Sequence, residues 1–109
     1  MKVFEIAEKL NAKTQVEGEN HDVESVYCGD FLSFAISKQG EKACWLTVMN
    51  NVNVMGVASL CDTSMIVLCD GTTPDENMSK RADMMGVSIF STEKSVYQIA
   101  VELSQMGIK

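Results

Sequence analysis

What the 109-residue sequence lacks limits its chemistry first. It has one histidine, His21, in a Gly-Glu-Asn-His-Asp turn, and no Cys or Ser stands near enough in sequence to pair with it as a nucleophile. Cys28, Cys44, Cys61 and Cys69 contain no CxxC pair, which removes the usual zinc knuckle and the thioredoxin-type redox couple. Neither a GxxxxGK(S/T) run nor a GxGxxG occurs, so the phosphate cradles of nucleotide kinases and dinucleotide enzymes are missing. Basic residues are few and scattered: nine Lys plus Arg against fifteen Asp plus Glu leave a net charge of -6, which opposes nucleic-acid binding. The opening MKVFEIAEKL places acids inside its apolar pattern, and no long apolar run follows. Neither a signal peptide nor a membrane span is expected, and a cytoplasmic location is.

What is present centres on Thr63 to Phe90, TSMIVLCDGTTPDENMSKRADMMGVSIF. Ser64 to Cys69 is a short, almost unbroken apolar run, suited to a strand covered on both faces. After Asp70-Gly71, the run Thr73-Pro74-Asp75-Glu76 combines a hydroxyl N-cap, a proline at the first helical position and a glutamate able to close a capping box. The helix expected there carries Met78, Ala82 and Met85 on one face and ends at Gly86 in a left-handed C-cap. Val87 to Phe90 is a second strand. Strand, crossover helix and strand make a parallel βαβ unit.

The flanks extend that unit. Val3, Ile6, Ala7 and Leu10 share one face of a helix from Lys2 to Leu10. Lys13 to Glu17 reads as an edge strand with charge on its exposed side. Val23 to Cys28 is a strand, and Asp30 is placed to cap a helix from Phe31 to Lys38 that Gly40 ends. Ala43 to Met49 follows as a strand whose Trp45 side is expected to be partly covered. Val54 to Leu60 is an apolar helix, in which Gly56 suggests close approach of a neighbour. Ser91-Thr92-Glu93 starts a last helix, with Val96, Ile99, Ala100 and Leu103 inward. Cys28, Cys44 and Cys69 read as small core hydrophobes and His21 as an exposed turn residue. The fold class is therefore α/β, a small mostly parallel sheet with helices on both faces, in one domain spanning residues 1–109.

In such a sheet the turns that follow the strands gather at the carboxyl edge. Four turns meet there: Gly29-Asp30, Asn50-Asn51, Asp70-Gly71-Thr72-Thr73 and Ser91-Thr92. Their small and hydrogen-bonding groups form a candidate ligand site, and the helices that follow could present N–H groups to an anion. The same residue types serve as plain helix caps, and Asp75 with Glu76 would repel a phosphate, so both readings stay open. Asp30 and Asp70 could in principle hold magnesium, yet aspartates are also what turns require. No catalytic residue, metal site or cofactor is assigned.

IVLCDGTTPD, MMGVSIFST and SVYQIAVEL resemble the DRTGG domain family, in which an apolar strand, Thr-Gly-Gly, a proline-led helix, Gly-Ile-Pro-Val and a Ser-Thr follow one another. MKVFEIAEKLNAKTQVEGE, VESVYCGDFLSFA and CWLTV are similar to stand-alone members and to the amino-terminal domain of HPr kinase/phosphorylase. The contiguous pentapeptide that names the family is absent, and Cys69-Asp70-Gly71 stands where Thr-Gly-Gly is usual. The resemblance implies a fold like the amino-terminal domains of HPr kinase and MurF-type ligases. It also implies a non-catalytic regulatory or ligand-binding module that forms a homodimer and acts through a partner protein. The alternative is a sensor of a small anion or an adenine nucleotide at the four-turn edge. A small enzyme is the third reading, and it lacks a catalytic base at that edge.

Overall fold

The first helix illustrates how patterning becomes structure. In α1 (Val3–Leu10), Val3, Ile6, Ala7 and Leu10 recur at helical spacing, and all four are buried. Asn11 ends the helix in the left-handed conformation, with φ 55°. The computed structural model describes residues Met1–Lys109. The chain continues through β1 (Lys13–Val16), β2 (Ser25–Cys28), α2 (Leu32–Lys38), β3 (Ala43–Thr47) and α3 (Val52–Cys61). It ends with β4 (Met65–Leu68), α4 (Glu76–Met85), β5 (Ser88–Ser91) and α5 (Val96–Gln105). No helix is long and apolar enough to cross a membrane.

The five strands form one sheet in the order β1-β5-β4-β3-β2. β2, β3, β4 and β5 run parallel, and β1 closes the far side antiparallel to β5, with an irregularity between Thr14 and Val16. Successive residues of a strand face opposite sides, so β4 feeds two cores at once. Met65 and Val67 join Cys44, Leu46 and Phe90 beneath α1 and α5. Ile66 and Leu68 join Trp45 and Ile89 beneath α2, α3 and α4. Each fully buried side chain of this size contributes roughly 1.5–3 kcal/mol. Helices therefore lie on both faces of a mostly parallel sheet, as the alternation of elements implies.

Three local expectations change. Trp45 is fully buried rather than half-covered, because α2 and α3 close over β3; its Nε1 donates to Gly29 O at 3.0 Å, and its ring meets the edge of Tyr27 at 6.3 Å. Gly56 lies on the exposed side of α3, and a Cβ there would meet nothing within 4 Å, so no neighbour approaches it. Cys28 is exposed on the outermost strand, whereas Cys44 and Cys69 are buried as expected.

Candidate functional site

Parallel pairing from β2 to β5 sends all four carboxyl exits to the same side of the molecule. The ten residues named from the sequence meet on that rim, and a chain of hydrogen bonds links one turn to the next. At the β2 exit, Asp30 Oδ1 accepts from Thr47 Oγ1 at 2.7 Å and from Val48 N at 3.0 Å. Asp30 is thus spent on joining β2 to the β3 exit and does not cap α2, whose N-cap position is Phe31 and carries no side-chain cap. Asn51 caps α3 through Asn53 N at 3.0 Å. Its neighbour Asn50 reaches the β4 exit twice, its Nδ2 donating to Thr73 O at 2.8 Å and its carbonyl accepting from Asp75 N at 3.0 Å.

The β4 and β5 exits are joined through the backbone. Asp70 and Gly71 both take the left-handed conformation, with φ 56° and 74°, a tandem in which glycine relieves the strain at one of two positions. Asp70 N donates to Lys94 O and Gly71 N to Thr92 O, both at 2.9 Å, while Thr72 N turns back to Cys69 O at 3.1 Å. These three donors are consumed within the protein, so the β4 turn offers no ready cradle of N–H groups for a phosphate. Thr73 is not the N-cap of α4. Asp75 is, accepting from Met78 N at 2.8 Å, and Pro74 consequently lies outside the helix. Likewise α5 is capped by Ser95, through Gln98 N at 3.1 Å, not by Ser91 or Thr92.

Between the β4 and β5 exits and β1 lies an open groove of about 390 Å³. Gly71, Thr73, Ser91 and Thr92 contribute to it, together with Asn11, Lys13, Gln15, Glu93 and Lys94, which sequence reasoning did not place there. Gly29, Asp30, Asn50, Asn51, Asp70 and Thr72 lie elsewhere on the rim, outside this groove. Gln15 Nε2 donates to Ser91 Oγ at 2.8 Å. Lys94 Nζ is engaged by Glu102 at 3.0 Å and by Leu10 O at 3.2 Å, whereas Lys13 is exposed and forms no ion pair. The groove is chemically a shallow polar recess suited to hydrogen bonding, with a free ammonium at Lys13 and a carboxylate without an ion-pair partner at Glu93, which lies over Gly71.

A second hollow, of about 420 Å³, lies at the opposite, amino end of the sheet and is lined by Lys2, His21, Asp22, Lys42, Asp62 and Ser64 among others. Several of its polar groups are answered internally, although the exposed Asp62 carboxylate has no ion-pair partner. His21 Nε2 lies 3.1 Å from Gly86 O, Lys2 pairs with Asp22 at 3.8 Å, Lys42 pairs with Glu24 at 3.5 Å, and Ser64 Oγ donates to Asp22 O. The lone histidine therefore helps to hold this end closed, far from the carboxyl rim.

The thiols nearest the rim are not activated. Burial, and then the Asp70 carboxylate, push Cys69 up to about 12; burial and then Asp30 push Cys28 up as well. Both stay protonated at neutral pH, the opposite of what a cysteine nucleophile requires.

Comparison with known proteins bears on the fold and the family. The DRTGG domain matches residues 5–106 of the chain. Among solved structures, the crystal structure of the CBS and DRTGG domains of the regulatory region of Clostridium perfringens pyrophosphatase, complexed with the activator diadenosine tetraphosphate, has the same fold. The TM-score is 0.77 at 13% identity over 94% of this chain, which spans about half, 46%, of that one. No curated protein matches the chain.

Proposed function

The chain belongs to the DRTGG domain family, and we propose that it is a non-catalytic regulatory module that receives a small anionic ligand on its carboxyl rim and acts through self-association and a partner protein. Its main support is the groove in which Lys13 stands unpaired beside Gly71, Thr73, Ser91 and Thr92. Charge favours the β1 wall of the groove, whereas Glu93 opposes an anion on the Gly71 side. Asp75 and Glu76 flank the start of α4 and repel an anion there, whereas Lys13 and Lys94 border the β1 side. The related regulatory region was crystallised with diadenosine tetraphosphate, so an adenine nucleotide is the ligand class to try first.

Thermal melts with inorganic phosphate, AMP, ADP, ATP and diadenosine tetraphosphate test the rim. A ligand that binds only the folded chain raises its melting temperature by mass action, by an amount that grows with concentration. The rise should shrink in Lys13→Ala, whose unliganded melt should be nearly unchanged because the side chain is exposed and unpaired. A flat response to all five anions at millimolar concentration would remove the ligand from the reading.

A further inference from the structure

The two borders of the sheet differ in how they meet other chains. β1 carries the exposed Lys13 and an irregular register at Thr14 to Val16, both devices that discourage a further strand from adding. β2 has neither device. Its sequence Ser25-Val26-Tyr27-Cys28 is uncharged, its register with β3 is unbroken, and β3 is its only neighbour. An outermost strand points alternate N–H and C=O groups away from the sheet, and another extended backbone can satisfy them in series.

Just beyond that strand stand Phe31 and Phe34, 66% and 58% exposed, with ring centroids 5.2 Å apart. From Ser25 to Ser37 the only charged residue is Asp30, whose Oδ1 is turned onto Thr47 and Val48 N. Glu24, at the foot of the strand, is neutralised by Lys42 at 3.5 Å. This matters because the chain carries a net charge of -6, and most ways of joining two copies press like charges together. Ser25 to Cys28 adds no like-charge contact of its own, and the acids that flank it are each engaged, Glu24 by Lys42 and Asp30 by Thr47 and Val48 N. A two-fold axis requires a patch to be complementary to itself, and an uncharged strand beside an aromatic pair meets that condition.

We propose that β2 pairs antiparallel with β2 of a second copy, joining two sheets into one, with Phe31 and Phe34 covering the seam. The proposal rests on the self-association named above and assigns it a surface. The two rings expose on the order of 100 Å² each, well short of the roughly 800 Å² per partner of a standard stable interface, so the pairing should be reversible.

Light scattering and amide hydrogen exchange on the full chain, from low micromolar to millimolar concentration, test it. The mass should rise from monomer toward dimer, with slower exchange at Ser25 to Cys28 in step and no change in β1. Phe34→Glu should weaken dimerisation at least tenfold while leaving the dilute thermal melt unchanged, since that side chain is exposed. Thr14→Glu on the other border should leave dimerisation as it was. A dimer indifferent to Phe34→Glu, or one without protection at β2, overturns this surface but leaves self-association standing. A monomer at every concentration overturns both.

Discussion

The two ends of the sheet are held by different means, and the difference lies in how tightly backbone packs at each. At the amino end backbone packs directly on backbone, with side chains such as His21 reinforcing it. Gly18 packs so closely on the Gly86-Val87 turn that an added Cβ would lie 2.4 Å from Gly86 O, while Glu19 N and His21 Nε2 both engage that same carbonyl. At the carboxyl rim, turn is linked to turn by pairs of hydrogen bonds, several of them from side chains, and Lys13 is left without an ion-pair partner. The larger hollow thus has its cations paired, and the smaller groove is the one with a free cation, Lys13, opposite the Glu93 carboxylate.

Substitutions can break or sharpen that contrast, and the largest effect is expected at the amino end. Gly18→Ala forces backbone apart and should cost about 3 kcal/mol in urea unfolding. Gly71→Ala on the rim meets only the mobile end of Glu93, at 2.6 Å, and should cost about 1 kcal/mol, from its left-handed φ of 74°. Equal costs at the two glycines would mean that the two ends are packed alike.

Alkaline pH probes the core beneath both ends. Cys44 lies early in β3 and Cys69 at the foot of the rim, and burial raises both thiols above the ordinary value of 9.0. Because the unfolded thiol ionises first, the stabilisation is complete below pH 9 and is lost as the pH climbs toward about 12. Each thiol should account for about 1.4 kcal/mol lost per pH unit in that range, and Cys69→Ala should flatten the urea-midpoint profile accordingly. A profile identical to that of the parent chain would mean that Cys69 is more accessible than the packing indicates.

The smallest effects belong to the surface. Gly56→Ala, on the open side of α3, should stabilise by roughly 0.5–1 kcal/mol, since nothing lies within 4 Å of the new methyl group. Lys42→Ala removes an exposed pair at the amino hollow and should change stability by less than about 1 kcal/mol. A larger loss there would show that the hollow depends on its ion pairs more than on its backbone contacts.

Much of this architecture is readable along the chain because the signals are local. The stripe Val3, Ile6, Ala7, Leu10 specifies α1, and the unbroken run Met65 to Leu68 specifies a strand buried on both faces. Helix starts were harder to place, because Thr73 and Asp75, or Ser91 and Ser95, are equally good caps by residue type. Which one caps depends on where the preceding strand lets go, and in both cases it is the later residue. The ten rim residues follow from strand direction alone. Lys13, Gln15 and Lys94 do not, since they enter the groove only because β1 lies beside β5, and strand order leaves no local trace. Gly56 misled for a related reason: a helical glycine looks the same in sequence whether it faces a neighbour or water.

The neighbouring of β1 and β5 has a further consequence, for the time course of folding. Gln15 meets Ser91 across 76 positions of chain, so an early strand stays without its partner until a late one has been synthesised. During translation the first segment must wait, its Val16 still exposed, and any pause before Ser88 to Ser91 emerges prolongs that exposure.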